Sequence, residues 1–156
     1  MTHSQVLFDS VIETTEAMLE LGERVSKVFS AGDLVLLIGP LGAGKTTFTR
    51  GVGKGLGAVG NVSSPTFVIA RTHKRENSEI PLVHVDAYRL SSPSELDDLD
   101  IPFTKAIVLV EWGKGLTEGI ADNWLEIAIA RDTTGESEVR TVQITGFGPR
   151  WQQVQI

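Results

Sequence analysis

The sequence predicts an α/β fold of three layers, with helices flanking a central mixed sheet that is mostly parallel around one glycine-rich loop and antiparallel at its margins. Two observations carry the prediction. The first half alternates helical and strand periodicities and contains the run LVLLI leading into GPLGAGKTT, whereas the second half ends in strands only. Short apolar runs bounded by turn residues read as strands buried on both faces, and strands alternating with helices build parallel sheet. At 156 residues, 41% hydrophobic and 22% charged, the chain is expected to form one domain over residues 1–156 with a proper core.

Taken in order, residues 11–29 place Met18, Leu21, Val25 and Val28 at helical spacing, with Glu and Lys between them. A strand over 33–38 follows, then the loop, then a helix from Lys45 to about Leu56. That helix is unusual, because Gly51, Gly53 and Gly55 each cost up to about 1 kcal/mol relative to alanine; it either packs very tightly or frays. Residues 67–71 and 82–85 read as strands around the polar THKRENSE, a hairpin tip. Residues 106–110 form a second continuous apolar run, and 125–130 and 139–144 alternate as late strands joined through RDTTGESE. The acidic SPSELDDLD reads as a solvated helix capped by Ser92 or Ser94, with partner docking as the alternative.

Gly39, four residues and Gly44-Lys45-Thr46 match the G-x-x-x-x-G-K-[ST] spacing of a phosphate-binding loop. Gly39, Gly42 and Gly44 allow successive N–H groups to curl inward around a phosphate. Lys45 supplies a point charge to the β and γ phosphates. Thr46 opens the next helix, where its hydroxyl suits Mg²⁺ and the helix N-terminus adds its positive end. The candidate nucleotide-binding residues are therefore Gly39, Pro40, Leu41, Gly42, Ala43, Gly44, Lys45, Thr46 and Thr47, and the fold class is that of a P-loop NTPase.

Other places can carry chemistry. Glu111 ends the run AIVLVE, where P-loop proteins place the carboxylate that holds Mg²⁺ or its waters; the plainer alternative is a strand that ends at the surface on an acid. Trp112 beside it suits packing. In LVHVDAYRL, strand alternation puts His84 and Asp86 on one face. Both need partners if buried, and a magnesium–phosphate centre is one such partner, against a satisfied histidine and a strand-end aspartate capping a turn. Arg89 faces a phosphate or pairs with an acid. In SSPTF, residues 63–67, Thr66 offers a loop hydroxyl of the kind that senses a γ-phosphate and Mg²⁺ in nucleotide switches.

Composition narrows the partners. No apolar run approaches the roughly 20 residues of a membrane span, and the N-terminus has no basic region ahead of an apolar one, so a soluble cytoplasmic protein is expected. There are no cysteines, and His3, His73 and His84 show no metal-ligand spacing. A net charge of −6 argues against a free-standing nucleic-acid binder. The Asn-Lys-x-Asp motif for guanine is missing, which disfavours a GTPase.

Together, GPLGAGKTTFTRG, SPTF, HVDAYRL and VEW, in that order and at compatible separations, resemble the TsaE family (also called YjeE), small P-loop proteins of tRNA threonylcarbamoyladenosine synthesis. The matching pieces run from Gly39 to Trp112, about half the chain. Pro40 stands where many members have aspartate, and EWGKGLTEGI replaces the commoner Glu-Trp-Pro. The resemblance implies ATP with Mg²⁺; on the motif reading Thr46 and Glu111 are the metal candidates and Lys45, Asp86 and Glu111 the catalytic ones, with either Asp86 or Glu111 positioning the attacking water. It also implies work with the TsaB and TsaD proteins, TsaD transferring the threonylcarbamoyl group to tRNA while the TsaE member hydrolyses ATP. Thr14 or Thr15 would lie near the nucleotide base.

The expected function is thus an ATP-driven accessory whose tRNA is held by a partner. A small-molecule kinase would need an arginine-bearing lid, and Arg71, Arg75 and Arg89 are few and scattered. An ATP-sensing module without turnover is the alternative from another class. With Thr66 in a loop, a glycine-rich helix and no arginine finger evident in the sequence, the lone chain is expected to be a poor ATPase that its partners complete.

Overall fold

A computed structural model of the chain describes residues 3–40, 43–60, 62, 70–87, 90, 92–111, 121–131 and 137–156. In chain order these form β1 (Ser4–Ile12), α1 (Thr15–Ser26), β2 (Leu34–Ile38), α2 (Lys45–Leu56), β3 (Ala70–His73), β4 (Leu82–Asp86), α3 (Pro93–Asp97), β5 (Ile107–Glu111), β6 (Trp124–Arg131) and β7 (Arg140–Phe147), with a closing 3₁₀ turn at Pro149–Trp151. Among the described residues, seven strands make one sheet in the order β1-β7-β6-β2-β5-β4-β3. β2 runs parallel to β5 and β6, and β4 parallel to β5, while β3, β7 and β1 join antiparallel at the margins. The mixed sheet expected from the sequence is the one observed.

Strand alternation divides the core. Val35 and Leu37 of β2 and Ile107 and Leu109 of β5 face α1 and α2, packing on Met18, Leu21, Val25, Phe48 and Val52. Leu34, Leu36, Val108 and Val110 face the other way, onto Leu96 of α3 and the partly buried Leu99, Ile101 and Phe103. A residue pair such as Leu36 and Leu37, 1% and 0% exposed, shows why the run is uninterrupted: both faces of β2 are covered.

The helix expected over residues 11–29 is corrected at its N-terminal end. Residues 11 and 12 end a strand, and the helix begins only at Thr15. Thr14 stays extended (φ −136°, ψ 163°), and its hydroxyl accepts from the Ala17 N–H at 3.1 Å, which fixes the start of α1. β1 has little alternation to recognise, because as an edge strand it leaves most of its side chains at least partly exposed, Val6 and Val11 among them.

The glycine-rich helix packs tightly and does not fray. α1 and α2 approach so closely that a methyl on Gly51 would collide with the Leu19 carbonyl, and one on Gly55 with the Ser26 hydroxyl and the Glu23 carbonyl. Helix propensity is thereby traded for backbone contact. The hairpin around the polar segment is present as β3 and β4, its tip held by Arg75, which donates to the carbonyls of Leu56 at 2.8 Å and Ile80 at 3.3 Å. Of the two serines considered as caps of the acidic helix, Ser92 occupies the N-cap position, its hydroxyl 3.0 Å from that of Ser94 and making no cap bond. Among the described residues no helix is long and apolar enough to cross a membrane.

Candidate functional site

The site is built at the carboxyl ends of three parallel strands. β2 runs into Gly39 and Pro40; in the sheet register Leu37 lies beside Glu111, and Glu111 beside Asp86. Three consecutive strand ends therefore bring the loop and both acids to one edge, the crevice where α/β sheets place ligands. α2 starts at this edge. Gly44 caps it in the left-handed region (φ 110°) with no side-chain bond, and the first backbone bond of the helix runs from the Phe48 N–H to the Gly44 carbonyl at 2.9 Å. A helix start whose N-cap is a glycine, without a capping side chain of its own, offers N–H groups and the positive helix end to an anion.

Lys45 is 6% exposed and not a surface residue. Its Nζ donates to the carbonyls of Gly39 at 2.6 Å and Pro40 at 3.0 Å, drawing the ammonium under the loop. Burial pushes its pKa below the ordinary lysine value, and the negative charges of Glu111 and Asp86 oppose that shift. Thr49, one turn on, bonds back to the Lys45 carbonyl at 2.8 Å. Thr46 and Thr47 are half-buried at the helix start, and Ala43 is buried. Leu41, Gly42, Thr66, Arg89 and Trp112 lie outside the described residues.

Glu111 does not end at the surface: it is 3% exposed, and its Oε2 lies 2.8 Å from Nε2 of His84, which is fully buried. His84 and Asp86 share a face of β4, as alternation predicted, and His84 reaches Glu111 on the neighbouring strand. His73 sits on the same side of the hairpin, 5% exposed, its register partner Leu82. Burial, followed by His84 and then Arg71, lowers its pKa, against the Val59 carbonyl that raises it.

Sequence reasoning missed Arg140. The start of β7 swings its guanidinium to the loop, Nε donating to the Ala43 carbonyl at 3.0 Å. Beside it lies a cavity of about 110 Å³ lined by Thr14, Thr15, Met18, Gly44, Thr47, Glu138 and Arg140. Nothing local to Arg140 signals this contact; only the pairing of β7 with β6, two strands from the loop, brings it there.

A glycine-rich loop between a buried parallel strand and a helix, with acids on adjacent strand ends, defines the P-loop NTPase fold. The family model described as "Threonylcarbamoyl adenosine biosynthesis protein TsaE" matches residues 12–141. The chain is 52% identical over 139 residues to the tRNA threonylcarbamoyladenosine biosynthesis protein TsaE of Streptomyces coelicolor, covering 86% of this chain and 93% of that one. It is 38% identical over 143 residues to the protein of the same name from Bacillus subtilis, covering 91% and 85%. The crystal structure of Bacillus subtilis YdiB superposes with a TM-score of 0.72 at 28% identity, over 97% of this chain and 91% of that one. The chain belongs to the TsaE family.

Proposed function

We propose that this chain binds and hydrolyses ATP for the machinery that makes threonylcarbamoyladenosine in tRNA, in the cytoplasm, together with TsaB and TsaD. The observation that carries the proposal is Lys45 held under the loop with the charges of Glu111 and Asp86 acting on it at the strand ends. It is supported by the name its relatives bear.

The loop amides and Lys45 bind the phosphates, with Gly39, Pro40, Leu41, Gly42, Ala43, Gly44, Thr46 and Thr47 as the cradle, and Thr66 reads the γ-phosphate. The cavity beside Thr14 and Thr15 takes the nucleoside end. Among the described residues no group of three histidine or acidic side chains could hold a metal alone. That suits Mg²⁺, which is commonly held by one or two protein groups and substrate phosphates; here Thr46 and Glu111 would hold it. Bound there, the ion would neutralise charge developing on the phosphates. Asp86, half-buried at the neighbouring strand end, orients the water. That water attacks the γ-phosphorus, the bond to the β-phosphate oxygen breaks, and the water's proton passes to a carboxylate and on to phosphate, giving ADP and inorganic phosphate. Positioning and charge dominate such a step, so a partner that orders the site accelerates it.

The test measures products and phosphate release for the chain alone, with TsaB plus TsaD, and with Asp86→Ala and Glu111→Ala in the same mixture. ADP and free phosphate, slow alone and fast in the mixture, are expected. A phosphorylated acceptor would make the chain a kinase, tight ATP binding without turnover would make it a sensor, and equal rates with and without partners would remove the partner-completed site.

A further inference from the structure

We infer that His84 is a positioning residue for Glu111, a buried hydrogen-bond donor that holds one oxygen of the carboxylate beneath the strand ends. The inference rests on the reading of Glu111 as the metal-side carboxylate. His84 comes from β4 and Glu111 from β5, 27 positions apart, and the parallel register brings Nε2 within 2.8 Å of Oε2. Both side chains are shielded from water, at 0% and 4% exposure, so the bond meets little competition from solvent.

Hydrogen-bond accounting fixes its direction. The other ring nitrogen, Nδ1, is buried with no partner among the described residues. A proton there would strand an N–H in the interior, whereas a lone pair is the smaller loss. The arrangement that strands no donor has the proton on Nε2, donated to the carboxylate. A glutamate side chain has three rotatable bonds, and a fixed donor on one oxygen confines it to the rotamer that reaches the strand end, as partners behind metal ligands do elsewhere.

Two measurements test this on the full-length chain. A long-range proton–nitrogen correlation spectrum of the isotope-labelled protein, without nucleotide or metal, reads the His84 tautomer, the resonances being assigned by their loss in His84→Leu. A proton on Nε2 with a bare Nδ1 is expected; a proton on Nδ1 overturns the proposal. Phosphate release is then compared across Mg²⁺ concentrations for His84→Leu, His84→Gln and Glu111→Gln, in the partner mixture, alongside magnesium-free ATP binding. His84→Leu is expected to lower the maximal rate about 10- to 100-fold, the usual cost of losing a group that orients a metal ligand, while magnesium-free affinity stays unchanged. His84→Gln, which keeps an N–H donor, restores part of the rate. Equal losses of affinity and rate in His84→Leu would mark a structural histidine. An unchanged rate in His84→Leu beside a collapsed rate in Glu111→Gln would overturn the positioning role alone. A full rate in Glu111→Gln would overturn the reading of Glu111, and the role of His84 with it.

Discussion

Arg140 donates from Nε to the Ala43 carbonyl at 3.0 Å, tying the first residue of β7 to the glycine-rich loop across 97 positions of sequence. The same guanidinium holds the Ser137 and Val139 carbonyls at 2.6 and 3.0 Å, so it braces the approach to β7 as well as the loop. Three backbone carbonyls around one rigid fork make a bracket whose geometry a lysine cannot reproduce.

Replacing Arg140 should therefore loosen the loop more than it unfolds the protein. Arg140→Lys is expected to weaken ATP binding several-fold with only a small fall in Tm. Isothermal titration against ATP, paired with thermal melts, checks this; unaltered affinity would show that the loop keeps its shape without the bracket.

Lys45→Ala should abolish most ATP affinity and turnover. It should also lower stability by about 1–3 kcal/mol, because the buried ammonium bonds two loop carbonyls that would lose their donor. Urea unfolding gives the second number. A mutant as stable as wild type would mean that water replaces the ammonium beneath the loop.

The helix contact makes a different prediction. Gly51→Ala gains helix propensity, yet the added methyl meets the Leu19 backbone across the α1–α2 interface, where no flexible side chain can yield. Overpacking of this kind costs about 1–3 kcal/mol or more, and it outweighs a propensity gain of about 1 kcal/mol. Loss of stability in urea is expected, and a stabilised Gly51→Ala would show that the helices move apart easily.

His73 gives a pH dependence whose sign follows from linkage. Its folded pKa is lowered, chiefly by burial, so the unfolded chain binds its proton first as pH falls. The stability associated with neutral His73 is fully present above the unfolded value of about 6.5 and is lost as pH falls from there through the folded pKa. Melting temperatures between about pH 7.5 and 5.5 should show a steeper acid-side decline in wild type than in His73→Leu. Parallel profiles would assign the slope to other groups.

What the sequence determined by itself is what local pattern encodes. An apolar run covered on both faces needs no partner to be recognised in LVLLI and AIVLV, and the spacing of Gly39, Gly44, Lys45 and Thr46 is contained within eight residues. Glu111 and Asp86 were legible for the same reason, each being the acid on which a buried strand ends. The tertiary structure alone decided which side chains meet. β1 became visible only by pairing with β7, since an edge strand carries little hydrophobic contrast. The helix glycines looked like defects until α1 was laid against Gly51 and Gly55, and Val62 against Gly53. His84 met Glu111, and Arg140 met Ala43, through register between strands distant in sequence. Periodicity is set by a residue's own neighbours along the chain, whereas these contacts are set by how the sheet is ordered, and no local window contains that order.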